Sequence, residues 1–444
     1  MRVSPRCRAA LLIVVGLALR PTSAAEVTAG PLPEPLSLAA ALALADEPHP
    51  DLRVAAAETE LAQAQRDRAA AAYGTRAGLS AVARWAEPAE LAFDPTYNNS
   101  QASLYINRRL YDFGQTRAAV AAADALSSGQ HLAFADARLG RGLEILERYL
   151  DVLLADLDFR TQDEAMATAF VRLDRVRDQQ ALGQRSDVEY LEAETRYQEI
   201  RSMRLRAQAR QRTTRVRLAE ALNRPGQLSS SLLEPDLQGV AAEPPPLAAL
   251  TAAALRDNPR VQALRAASEA ARERLHATRA LDRPVITAEA RADAYQRQTG
   301  ASDPWSVGVR MEVPLYTGGR SAAERAQARA ELDRSGAYLA QAELHLRQDL
   351  QALWEEIQVL RESREEARTR LDYRELYLDR SRALYEMEVN ADLGDAMVVS
   401  TEARYRQAQL DYRLLLNRAR LNALLGRPID AALTDGLGEE EATP

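Results

Sequence analysis

The sequence predicts an α+β chain built from two similar halves, each of which places a pair of strands between helices. Four short motifs of the first half recur in the second half in the same order, at offsets of 203 to 209 residues. Within each half, apolar residues follow a helical period over very long stretches and a period of two in the shorter stretches between them. Four matches in register exceed what chance similarity between alanine- and arginine-rich helices would give, so we interpret the chain as an internal duplication.

The first residues are typical of an export signal. Residues 1–25 hold three early arginines, an apolar run over 11–19 and small residues at 23–25, which together predict cleavage before Glu26. The apolar run is too short for a membrane-spanning helix, although a membrane-anchored N-terminus is the alternative interpretation. The only cysteine lies inside this signal peptide, so we expect neither a disulfide nor a thiolate site in the mature chain.

The first repeat covers residues 26–225. It is predicted to contain strands over about 77–86 and 102–110, a long helix over about 115–182 and a further helix over about 186–222. No proline interrupts the long stretch, and its leucines follow helical spacing at Leu143, Leu146, Leu150, Leu153 and Leu157. At 1.5 Å per residue this helix would be about 100 Å long. Helices of such length belong to coiled coils or helical barrels and not to compact domains.

A connector rich in proline and serine, residues 226–246, leads to the second repeat, residues 247–428. This repeat is predicted to contain strands over about 284–295 and 305–315, a long helix over about 320–389 and a further helix over about 391–425. The remaining residues, 429–444, are acidic, and we expect them to form a disordered tail.

The predicted strands are amphipathic. In 305–315 the residues at odd positions are apolar, whereas the even positions through Glu312 hold serine, glycine, arginine and glutamate. Strands of about ten residues with one apolar and one charged face suit an outer-membrane β-barrel, and a half-buried hairpin on a soluble core is the alternative. Four strands cannot close a membrane barrel, for which eight is the small end of the range. The barrel interpretation therefore requires several copies of the chain.

Charge and motif content exclude other classes of function. The formal net charge is −7, and it becomes more negative once the four arginines of the signal peptide are removed, which argues against binding to a nucleic-acid backbone. The sequence has no glycine-rich phosphate loop and no metal-binding spacing of histidines. No set of nucleophile, base and orienting group is recognisable, so we predict that the protein is not an enzyme and holds no cofactor or metal.

Two strand-to-helix motifs carry a family resemblance. They are Leu110-Tyr111-Asp112-Phe113-Gly114 in the first repeat and Val313-Pro314-Leu315-Tyr316-Thr317-Gly318-Gly319-Arg320 in the second. Together with the tandem repeat and the two strand pairs, these motifs resemble the TolC family of outer-membrane efflux proteins over about residues 36–428. One departure is Arg109, where the family pattern has the proline that Pro314 supplies in the other half.

The resemblance implies an architecture and a function. It implies a homotrimer in which each chain gives four strands to a twelve-stranded transmembrane barrel, continued by a tapering helical tunnel across the periplasm. Such proteins are passive exit ducts in the outer membrane, surrounded by its lipid. They work with an inner-membrane pump and a periplasmic adaptor in efflux or secretion.

Two pairs of acidic residues follow the turns between the long helices and the helices after them. Glu189 and Glu192 correspond to Asp392 and Asp395, and a spacing of three places both carboxylates of a pair on one helix face. By resemblance, the aspartate pair lines the narrow periplasmic entrance, and the glutamate pair is a candidate for the same role with a looser match to the motif. Three copies would form carboxylate rings that favour cations. The alternative is that these are ordinary acidic residues that complement the dipole at a helix N-terminus.

The helix tips are candidate docking sites for the adaptor, again by resemblance. These tips comprise Gly183, Gln184, Arg185 and Ser186 in the first repeat, and Asn390 and Ala391 in the second. Two other classes of protein compete with the exit duct. One is a secreted structural coiled-coil protein without channel activity. The other is a periplasmic adaptor with a helical hairpin, a design that lacks a duplicated pair of amphipathic strands.

Overall fold

The computed structural model describes residues 32–90, 94–227, 230–297, 303–387 and 393–429. The predicted signal peptide lies outside these ranges, as do residues 430–444 of the predicted tail. The candidate residues Asn390, Ala391 and Asp392 also lie outside the described residues.

The described residues form helices and strands in an order that occurs twice. The helices are α1 (Leu38–Ala43), α2 (Pro50–Ala70), α3 (Gln115–Ala181), α4 (Asp187–Ala221), α5 (Leu247–Asp257), α6 (Pro259–Thr278), α7 (Arg320–Glu386) and α8 (Leu393–Leu424). The strands are β1 (Arg76–Val82), β2 (Gln101–Tyr111), β3 (Val285–Tyr295) and β4 (Trp305–Glu312). Thus α2-β1-β2-α3-α4 in the first repeat corresponds to α6-β3-β4-α7-α8 in the second.

The two long helices set the dimensions of the fold. Helices α3 and α7 each contain 67 residues, which corresponds to about 100 Å. Each begins directly after a glycine in the left-handed region, Gly114 with φ of 91° and Gly319 with φ of 86°. Because a left-handed backbone strains residues with a Cβ atom, glycine suits these sharp turns from strand to helix.

The hydrophobic core occupies the middle of the long helices. Leu146 and Tyr149 of α3 pack there with Ile357 of α7 and Leu414 of α8. The Tyr149 hydroxyl lies 2.8 Å from the carbonyl oxygen of Leu36, so the N-terminal segment is fastened to the core by a hydrogen bond. Within the described ranges, no helix has both the length and the apolar character needed to cross a membrane.

The four strands form one antiparallel sheet in the order β1-β2-β3-β4. The central pair, β2 and β3, joins the two repeats, and β1 and β4 lie at the edges. Two strands are shorter than the sequence predicts: β1 ends at Val82 and β4 ends at Glu312. Because proline has no N–H to donate, Pro314 cannot continue the ladder of β4, whereas Arg109 at the corresponding position lets β2 continue to Tyr111.

Candidate functional site

The sheet has one apolar face. Cross-strand register places Leu79 beside Leu104, Ala292 beside Leu104, and Trp305 beside Ala292. This face is open to solvent in the single chain, since Leu79, Trp305 and Val307 are each at least 70% exposed. A continuous exposed apolar surface marks a region that contacts lipid or another protein chain.

The opposite face carries charged residues, four of which form two ion pairs. Arg310 donates two hydrogen bonds to the carboxylate of Glu289 on the neighbouring strand, at 2.7 and 2.9 Å. Arg291 donates to Asp293 at 2.7 Å and to the Ser103 hydroxyl at 3.0 Å. The two faces therefore differ as the alternation of the sequence predicts, with a polar side and an apolar side on the same four strands.

The junction between β2 and α3 is a buried polar cluster around Asp112. The carboxylate of Asp112 is fully buried and accepts hydrogen bonds from the Tyr73 hydroxyl at 2.7 Å, the Thr116 backbone N–H at 2.9 Å and Arg109 at 3.2 Å. Burial alone raises the pKa of Asp112, but the hydrogen bonds from Thr116, Tyr73 and Arg109 outweigh it and lower that pKa below its usual value. Burial and the bond to Asp112 raise the pKa of Tyr73 to about 12.

The corresponding junction between β4 and α7 has different chemistry. Thr317 takes the position of Asp112, and its hydroxyl lies 2.9 Å from the hydroxyl of Ser321. A carboxylate comes from another segment, because Asp282 before β3 accepts a hydrogen bond at 3.0 Å from Arg325 of α7. This pair is about half exposed, in contrast to the buried Asp112.

The tip between α3 and α4 is closed by a capping box. Ser186 caps α4 by accepting from the Glu189 N–H at 3.3 Å, and the Glu189 carboxylate accepts from the Ser186 N–H at 2.8 Å. Arg185 donates to the other oxygen of Glu189 at 2.5 Å. These bonds, with the backbone bond from Ser186 as the largest cause, lower the pKa of Glu189 to about 2. Both carboxylate oxygens of this predicted aperture residue are thus engaged within the cap, as the alternative interpretation requires.

The remaining tip residues lie on the surface. Gly183 adopts a left-handed φ of 69°, Gln184 donates its N–H to the Gln179 carbonyl at 2.8 Å, and Glu192 is exposed. Sequence reasoning missed two apolar neighbours, Leu182 and Val188, which are 72% and 74% exposed. The sequence does carry a signal for them, since one apolar residue lies on each side of a polar turn.

The first turn of α8 packs closely against α3. A Cβ atom on Gly394 would lie 2.8 Å from the Thr168 Cγ2 atom, a distance that real Cβ contacts do not reach. The Thr168 hydroxyl donates to the Gly394 carbonyl at 3.4 Å, and the next residues, Asp395 and Ala396, are exposed and fully buried, respectively. The absence of a side chain at Gly394 therefore allows the first turn of α8 to approach α3 closely.

One histidine has a structural role at a helix N-terminus. His49 caps α2, where its Nδ1 accepts from the Asp51 N–H at 3.3 Å. Burial, followed by the charge of Arg141, lowers the pKa of His49. Among the described residues, no three histidine, cysteine, aspartate or glutamate side chains are grouped so that they could hold a metal ion.

Comparison with known proteins gives one family and several structures. A family model described as "Outer membrane efflux protein" matches residues 41–224 and 250–427, the two repeats. The fold is similar to that of the outer membrane protein VceC from Vibrio cholerae, with a TM-score of 0.71 and 19% identity over 88% of this chain and 96% of that chain. No curated protein sequence gives a significant match.

Two further solved structures have the same fold. The Campylobacter jejuni outer membrane channel CmeC matches with a TM-score of 0.71 and 14% identity, over 90% of this chain and 89% of that chain. The open state of the Neisseria gonorrhoeae outer membrane channel MtrE matches with a TM-score of 0.68 and 19% identity, over 88% of this chain and 89% of that chain.

Proposed function

The chain belongs to the outer membrane efflux protein family, and from this premise we propose that it forms the passive exit duct of a tripartite efflux or secretion system as a homotrimer. It is a transport protein of the outer membrane with a large periplasmic helical part, and its family consists of channel-type proteins and not of enzymes. The observation that carries the proposal is the sheet, which has one exposed apolar face and one polar face with ion pairs between its strands and along them.

The edges of the sheet support assembly from several chains. In the order β1-β2-β3-β4 of an antiparallel sheet, the two edge strands run in opposite directions. The edge β4 of one copy can therefore pair antiparallel with the edge β1 of the next, and this head-to-tail contact closes into a ring. In lipid, unpaired backbone N–H and C=O groups at an edge are very costly, so closure is required. Three copies give the twelve strands that the family resemblance implies.

The two faces then acquire distinct roles. The apolar face, with Leu79 and Val307, meets lipid, and the polar face, with Arg310 and Glu289, lines the lumen. Below the sheet, α3 and α7 are about 100 Å long, compared with about 30 Å for the hydrocarbon core of a bilayer. Their exposed apolar residues far from the sheet, such as Val171 and Leu376 at 57% and 71% exposure, would be covered by neighbouring copies.

The acidic pairs have unequal parts in this proposal. Three copies of Asp392 and Asp395 would line the periplasmic aperture and favour cations over anions. Glu189 is already bonded within its cap, and Glu192 lies one turn further along α4. Because the aspartate pair matches the family's entrance motif more closely than the glutamate pair does, we expect it to contribute more to ion selectivity.

The helix tips are the proposed contact with the partner proteins. The tip residues Gly183, Gln184, Arg185 and Ser186, with Asn390 and Ala391, would dock a periplasmic adaptor, and an inner-membrane pump would supply the energy. Leu182 and Val188 offer this adaptor an exposed apolar surface beside the polar turn. A variant with the tip residues replaced should lose co-purification with its adaptor, and retention of the adaptor would contradict the assignment.

Single-channel recording tests the proposed function. Detergent-purified protein in a planar bilayer should give a trimer-sized, cation-selective conductance. The variant Asp392→Ala/Asp395→Ala should conduct with lower cation selectivity, whereas the matched Glu189→Ala/Glu192→Ala should change it less. If the aspartate variant conducts with unchanged selectivity, these residues do not line the aperture and act only at the helix N-terminus. Protein that stays soluble without detergent and does not conduct would instead favour the structural coiled-coil protein.

A further inference from the structure

An arginine interrupts the apolar face of the sheet. In the register of β2 and β3, Arg108 lies opposite Ala288, on the face that carries Leu104 and Ile106. Among the strand-paired residues that the structure describes on this face, Arg108 is the one with a charge. It is exposed, and no hydrogen bond or ion pair joins it to another described residue. A guanidinium with five donors and no acceptor in the protein is available for a ligand.

The surroundings of Arg108 leave room for such a ligand. On one side the neighbour is Ala288, a small residue, and on the other side β1 ends, since its first residue, Arg76, lies opposite Asn107. Arg108 also lies in β2, a central strand, so the edge-to-edge contact proposed between copies does not cover it. The open space beside its side chain therefore faces the surroundings of the barrel.

Two aromatic residues lie next to Arg108 on the way to α3. A bulge in β2 places Tyr111 opposite Ile286, which is the next position after Arg108 on the apolar face, about 7 Å along the strand. The ring of Tyr111 packs edge-to-face on Phe113 with centroids 4.8 Å apart. Both residues are about half exposed. Aromatic side chains at the end of a membrane strand mark the level of the lipid headgroups.

We propose that Arg108, with Tyr111 and Phe113 below it, binds the phosphate of a glycerophospholipid in the periplasmic leaflet. This inference rests on the proposed function, because it requires the apolar face to meet lipid. The long helices leave the sheet at the Tyr111 end, which places this end on the periplasmic side. An arginine in the centre of a bilayer is costly, but close to the interface it can reach a phosphate and bind it through two parallel hydrogen bonds.

The second repeat does not reproduce the site. The residue that corresponds to Arg108 is Val313, and Pro314 follows it after β4 has ended. Each chain therefore has one such site, on the first repeat alone. The duplication also supplies a natural substitution, since Arg108→Val gives the first repeat the residue that the second repeat already has.

Native mass spectrometry of the detergent-purified assembly with added phosphatidylglycerol tests the site. Wild type should retain one phospholipid per chain, and Arg108→Val should weaken retention by at least about tenfold, because it removes both charge-assisted hydrogen bonds to the phosphate. Arg108→Lys should retain part of the binding. The control is Arg76→Val, because Arg76 lies opposite the neighbouring Asn107 on the polar face and should not affect lipid retention.

Two outcomes would overturn the inference without touching the proposed function. The first is equal phospholipid retention by wild type and Arg108→Val. The second is Arg108-dependent retention of lipopolysaccharide in preference to phosphatidylglycerol, which would move the site to the other leaflet. Conductance should be the same in wild type, Arg108→Val and Arg108→Lys, since Arg108 lies outside the lumen. Loss of conductance in wild type itself would contradict the proposed function and not this site alone.

Discussion

The two repeats share one fold but differ in how each strand is joined to its long helix. In the first repeat, the fully buried Asp112 connects β2, α3 and the short segment after α2 through Arg109, Thr116 and Tyr73. In the second, a pair of hydroxyl groups and a half-exposed ion pair take its place. The buried polar cluster around Asp112 lies at the end of β2, a central strand, whereas the more exposed junction follows β4, an edge strand. The duplication has therefore kept the backbone turn, with its glycine, and changed the side-chain chemistry.

The largest effect on stability is expected from removing Asp112 from the buried polar cluster. Asp112→Ala should lower the free energy of unfolding by about 3 kcal/mol, because it removes the acceptor of the Tyr73 hydroxyl and of the Thr116 N–H, and the ion-pair partner of Arg109. Thr317→Ala, at the corresponding position, should cost about 1 kcal/mol because it removes one partly buried hydrogen bond between two neutral hydroxyl groups. Denaturant unfolding in detergent, followed by circular dichroism, measures both. Equal losses would show that the two junctions are energetically equivalent despite their different chemistry.

The second prediction concerns the tips of the repeats. Gly394 corresponds to Leu191, yet Leu191 is 57% exposed whereas Gly394 touches Thr168. Gly394→Ala should force α8 away from α3, at a cost of about 1–3 kcal/mol, and shift Asp395 with it. We expect altered conductance and cation selectivity in planar bilayers.

A second substitution makes this prediction specific. In Gly394→Ala/Thr168→Ala, the nearest atom of residue 168 to the added Cβ is its own Cβ at 3.5 Å, an ordinary contact, so conductance should return to that of wild type. Leu191→Ala is the matched control in the first repeat and should have no effect on selectivity. If the double variant does not restore conductance, the defect of Gly394→Ala does not come from the contact with Thr168.

The third prediction compares the caps of α2 and α6. His49 caps α2, and Asn258 caps α6 by accepting from the Val261 N–H at 3.0 Å. Burial and the charge of Arg141 lower the pKa of His49, and Asp51 and Glu144 only partly oppose this. The folded state therefore resists protonation while the unfolded state binds a proton below about pH 6.5, so stability falls as the pH falls through that value.

His49→Asn transfers the cap of the second repeat to the first and should remove this pH dependence. At pH 8 the substitution should be nearly neutral, and at pH 5 it should stabilise the protein by about 1 kcal/mol relative to wild type, the scale of one cap. Thermal unfolding between pH 5 and pH 8 measures the difference. Parallel pH profiles for the two proteins would show that His49 does not carry the dependence.

The sequence predicts the general architecture better than the local chemistry. The sequence predicts the long helices and the strand pairs because apolar residues repeat on a fixed spacing in each, and because no proline interrupts the long stretches. The duplication is predicted by the recurrence of short motifs. The contact between Gly394 and Thr168 was not readable, since those residues are 226 positions apart and only packing brings them together. Likewise, the spacing of Asp112 and Tyr73 in the sequence does not predict the hydrogen bond between them. The capping box at Ser186 and Glu189 follows a local pattern, serine followed three residues later by glutamate, and it is more specific than the general complement to the helix dipole expected as the alternative role of Glu189.

The smallest expected effect returns to the acidic pairs. The three hydrogen bonds of Glu189 hold its pKa near 2, so the cap it forms is complete above pH 4.5 and is lost only as the pH falls toward 2. Glu189→Gln should leave cation selectivity between pH 5 and pH 8 closer to that of wild type than Asp395→Asn does, because the glutamate pair matches the family's entrance motif less closely. Asp395→Asn should reduce selectivity over the same range. If Glu189→Gln reduces selectivity as much as Asp395→Asn, the carboxylate at the first tip acts on ions despite its cap, and the two repeats contribute equally to the aperture.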